Sequence, residues 1–89
     1  MATELENGKE WAHRKAINTA REYGVNGDIE WISKNPGKFA LMLKCGNSAT
    51  EVMSFDELQL RRATYDFDIQ YSLGQEIRSA VMEMRLLCS

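Results

Sequence analysis

Proline and histidine each occur once in this 89-residue chain and cysteine twice, and each scarcity removes a class of answer. With His13 as the sole histidine, one chain cannot assemble a Ser-His-Asp triad or a histidine metal cluster. Its place in Trp11-Ala12-His13-Arg14-Lys15 puts it on an exposed helical face. Cys45 and Cys88 lack a CxxC partner, so neither a zinc ribbon nor a dithiol redox motif is encoded. No apolar run approaches the roughly 18 residues of a membrane span. No signal-peptide pattern is present either, so the expected setting is the cytoplasm, with both thiols reduced. No P-loop, GxGxxG or GxSxG occurs, and Gly24-Val25-Asn26-Gly27 reads as a helix-ending turn, not as a phosphate cradle. No enzyme, cofactor or metal site is implied.

What is present is ordinary globular material, 44% hydrophobic and 27% charged, which excludes intrinsic disorder. A chain of this length makes one domain that buries about 60–65% of its unfolded surface. The net charge of −2 is unevenly spread. Residues 1–25 balance, residues 26–46 carry a small positive excess, and the remainder is acidic. That profile lacks the electrostatic footprint by which phosphate backbones are held.

Residues 1–8 are polar, end in Asn7-Gly8 and show no period, so they are read as a frayed terminus before a single domain at 9–89. From Lys9, the positions Ala12, Ala16, Ala20 and Tyr23 recur at helical spacing, flanked by Trp11 and Ile17, until Gly24 closes the helix. Asp28 to Ser33 is rich in β-formers. Pro36-Gly37 then occupies the two central positions of a type II turn. Lys38 to Cys45 alternates as the central strand, Gly46-Asn47-Ser48 turns again, and Ala49 to Met53 forms a weaker third strand.

The last third is contested. Ser54-Phe55-Asp56-Glu57 has the pattern of a capping box. Beyond it, Phe55, Leu58, Tyr65, Ile69, Leu73, Ile77, Ala80, Val81, Met84 and Leu87 fall in one helical arc. Yet residues 65–73 also alternate as a strand would. Asp66 and Asp68 are poor strand formers and no turn residues precede Tyr65, so a long helix over about 55–87 is expected, bent or broken near Gly74. The fold expected is α+β: an N-terminal helix, a three-stranded antiparallel meander and a long C-terminal helix.

On such a helix, Leu60, Phe67, Tyr71, Met82 and Leu86 lie opposite the main arc. One small sheet cannot cover both sides. The expected function is therefore a non-enzymatic protein-binding module, a small regulator or inhibitor working through these five residues, most simply by forming a homodimer. Met53, Met82 and Met84 belong to the same region and suit either core filling or an adaptable surface. Small acidic chains of this kind are common among phage and mobile-element accessory proteins, an association of composition alone.

The alternative is a nucleic-acid-binding module. Its candidates are Arg14, Lys15 and Arg21 on the first helix, with Lys34, Lys38 and Lys44 around the hairpin beside Trp31. The element order is similar to that of double-stranded RNA-binding domains. Where those domains place a lysine cluster, however, this chain has Ser54-Phe55-Asp56-Glu57, which repels phosphate. A metal-dependent nuclease built from Glu30, Glu51, Asp66 or Asp68 is the weakest reading. On a helix, Asp66 and Asp68 point about 200° apart and cannot share an ion.

Overall fold

A computed structural model describes residues 3–86 of the chain. It shows the expected α+β architecture, in the order α1 (Glu4–Glu22), β1 (Asp28–Asn35), β2 (Lys38–Cys45), β3 (Ser48–Asp56), α2 (Glu57–Arg62) and α3 (Phe67–Met84). The three strands form one antiparallel meander with β2 in the centre. Alternation sends Ile29, Leu41, Leu43 and Phe55 into the core beneath the helices, with Trp31 and Phe39 packed beside them. Trp31 meets Phe55 edge to face at 5.3 Å between ring centroids, a geometry that adds to the area both rings bury.

The first helix starts earlier than its polar opening suggested. Thr3 caps it by accepting the Glu6 N–H on Oγ1 at 3.1 Å, and residues 4–8 belong to the helix. Gly8 is buried for a steric reason, because a Cβ there would stand 1.7 Å from the carbonyl oxygen of Leu60. Together with Ala12, Ala16 and Ala20 it gives α1 a stripe of small residues, against which α2 and α3 pack.

The C-terminal helical region is broken, but not at Gly74. Strand β3 runs on through Ser54 and Phe55 to Asp56, so Ser54 is no cap. The box forms two residues later, where Gln59 Oε1 accepts the Asp56 N–H at 3.0 Å. After the six residues of α2 the chain turns, and Asp66 caps α3 by accepting the N–H groups of Asp68 and Ile69 on Oδ1 at 3.1 and 3.3 Å. Residues 67–73 are helical, so the strand alternative does not occur, and α3 passes through Gly74 uninterrupted. Leu73, Ile77, Val81 and Met84 form its buried side; Leu87 lies outside the described residues.

Two single-residue expectations change. The His13 ring is half-buried and donates from Nε2 to the carbonyl of Ile29 at 2.5 Å, tying α1 to β1. Cys45 is disulfide-bonded, which corrects the expectation of reduced thiols; Cys88 lies outside the described residues. Among the described residues no helix is long and apolar enough to cross a membrane.

Candidate partner-binding face

Burying Leu73, Ile77 and Val81 fixes the rotation of α3. At 100° per residue, Phe67, Tyr71, Arg78 and Met82 then point roughly 80–140° away from the middle of that buried side, onto one flank of the helix. Phe67 is 83% exposed, Tyr71 70%, Met82 46% and Leu86 80%. Four of the five residues expected on the second stripe thus share one uncovered face. Leu60 does not. It is fully buried against α1, because the turn over residues 63–66 resets the helical phase that had linked it to Phe67.

Sequence reasoning missed the neighbours that shape this face. Trp11 and Lys15, one turn apart on α1, combine with Phe67, Tyr71 and Gly74 to line a groove of about 520 Å³. A second depression of about 450 Å³ on the other side of Trp11 and Lys15 reaches Glu10, Arg14 and Thr64. Further along, Arg78 donates from Nε to the Tyr23 hydroxyl at 2.9 Å and lies 5.8 Å from the centre of that ring. The two helices run in the same direction, since Trp11 meets the start of α3 and Tyr23 its middle. Spacing held a usable signal here. Trp11 and Lys15 are i, i+4 on a helix, as are Phe67 and Tyr71, but nothing in the sequence says that the pairs meet.

Of the basic residues of the nucleic-acid alternative, only Arg14 and Lys15 share a depression, and Glu10 lines it with them. Lys34, Lys38 and Lys44 project from the open face of the sheet, and each is paired: Lys34 with Glu51 at 2.9 Å, Lys44 with Glu30 at 2.8 Å, and Lys38 with Asp56. The hydrogen bond and charge of Glu30 raise the pKa of Lys44 above its ordinary value. Arg14 pairs with Glu10 at 2.7 Å on α1, and Arg21 lines a separate depression with Asp28 and Glu30. Trp31 and Phe39 alternate with these lysines along the strands and therefore face the core. Trp31 also donates from Nε1 to the carbonyl of Lys9 at 3.2 Å. The alternation separates these three lysines from the rings, and it is Lys9 of α1 that lies over them, 5.8 Å from the centre of Trp31 and 4.9 Å from that of Phe39.

Chemistry is equally sparse. No group of three or more His, Cys, Asp or Glu residues is placed to hold a metal ion among the described residues. Asp66, named in the nuclease reading, is committed to its helix cap. Among known proteins, the chain matches no family model, no curated protein and no solved structure.

Proposed function

We propose that this chain is a non-enzymatic protein-binding module, a small regulator or inhibitor that engages its partner through the exposed face of α3. One observation carries the reading: Phe67 and Tyr71 stand 83% and 70% exposed on one flank of a helix whose Leu73, Ile77 and Val81 side is locked in the core. Leaving such side chains in water costs about 1.5–3 kcal/mol each relative to burial. With Met82 and Leu86 they form an apolar patch on the order of a few hundred Å², the size at which surface patches mark binding sites. The Trp11 groove beside them offers a recess for a partner's apolar side chain, and Lys15 supplies a charge at its rim.

The test compares wild type with a Phe67→Asp, Tyr71→Asp double variant as bait for proteins of the native host. Both positions are exposed, so circular dichroism should show an intact fold in both baits. Selective loss of a partner from the variant is expected. Equal partner sets on both baits would defeat the proposal. The nucleic-acid reading gains no comparable support, because its hairpin lysines Lys34, Lys38 and Lys44 are already paired with neighbouring carboxylates.

A further inference from the structure

We infer that the occupant of the α3 face is a second copy of this chain, docked with its α3 antiparallel and crossing near Gly74. The inference rests on the protein-binding reading above and adds the partner and its orientation.

The first argument is the glycine. Gly8 admits the Leu60 backbone, and Gly24, Gly37 and Gly46 hold positive φ angles of 69°, 78° and 62°. Gly74 has neither reason. It sits inside an 18-residue helix, where glycine is disfavoured relative to alanine, and a Cβ there would meet only the flexible Lys15 side chain at an ordinary 3.6 Å. The isolated fold does not need it. A second helix crossing at this point does, because a missing Cβ lets two backbones approach closely.

The second argument is the layout around that point. Tyr71 and Arg78 stand three residues before and four after Gly74, or about 4.5 and 6 Å along the axis, and Phe67 and Met82 stand about 10.5 and 12 Å away. Antiparallel docking therefore sets Tyr71 against the partner's Arg78, a cation–π pairing, and Phe67 against the partner's Met82, a sulfur–aromatic one. The third argument is charge. Asp66 and Asp68 mark the start of α3; on the Tyr71 flank Arg78 lies in its second half and Arg85 just past its end, while Glu76 and Glu83, at 100° per residue, point about 130–150° away from that flank. An antiparallel pair brings opposite signs together, whereas a parallel pair stacks like on like. The contact is isologous and closes as a two-fold dimer.

Light scattering on the purified full chain, at concentrations up to about 1 mM to capture weak association, should give twice the 10.2 kDa chain mass. Gly74→Leu introduces a helix former beside only the flexible Lys15 side chain, so its circular dichroism should match wild type while dimerisation weakens about tenfold or more. Spin labels at Gln75 should lie close together across the dimer, and labels at Glu83 about 27 Å apart along the axis, nine residues from the crossing on each side. A monomer at every concentration, an unchanged Gly74→Leu affinity, or equally short distances at both label sites would overturn the inference. A monomeric chain that still loses a host protein through Phe67→Asp, Tyr71→Asp would overturn only the self-pairing and leave the binding face standing.

Discussion

Two glycines in helices, Gly8 and Gly74, show how the same residue answers to opposite constraints. Alanine is intrinsically favoured over glycine by about 1 kcal/mol in a helix interior. At Gly74 that preference should be realised, so Gly74→Ala should raise the stability of the dilute protein by about 1 kcal/mol in urea denaturation. At Gly8 the new methyl would sit on a backbone oxygen that cannot rotate away, and overpacking outweighs propensity. Gly8→Ala should cost about 2 kcal/mol net by the same measurement. His13 acts at the same scale: its ring holds α1 to the Ile29 carbonyl, and His13→Ala should lower stability by about 1 kcal/mol.

At the scale of elements, the caps decide where helices end. Asp66→Ala should cost about 1 kcal/mol and speed amide exchange in the first turn of α3, while Ser54→Ala, at a position inside β3, should stay within about 0.5 kcal/mol of wild type. The order of elements was legible because periods of two and of 3.6 are strong over eight or more residues, as in Lys38 to Cys45 and Ile69 to Met84. The break between α2 and α3 was not, because Thr64-Tyr65-Asp66 contains neither glycine nor proline and its only mark is the capping aspartate. That omission misplaced Leu60, whose angular relation to Phe67 held only for an unbroken helix. His13 was misread for a related reason. Helical phase gives a side chain its direction, but not the strand that lies in front of it.

For the whole molecule, the two sides differ in what they leave unsatisfied. The open face of the sheet is laced by ion pairs, and the one between Lys34 and Glu51 joins β1 to β3 across the central strand. In this register its path crosses β2 at Ala40, which has no exposed surface. The α3 side carries bare aromatic rings instead. If that face pairs with a second copy, thermal stability depends on concentration, and each tenfold increase should raise the melting temperature by about 3–5 °C. The Phe67→Asp, Tyr71→Asp chain should melt at one temperature throughout. The contact between Gly8 and Leu60 also bears on how the molecule ages. The first turns of α1 are the stopper over the middle of the chain, so a protease that clips after Gly8 does more than trim an end: it uncorks the core at Leu60, and degradation should proceed from there.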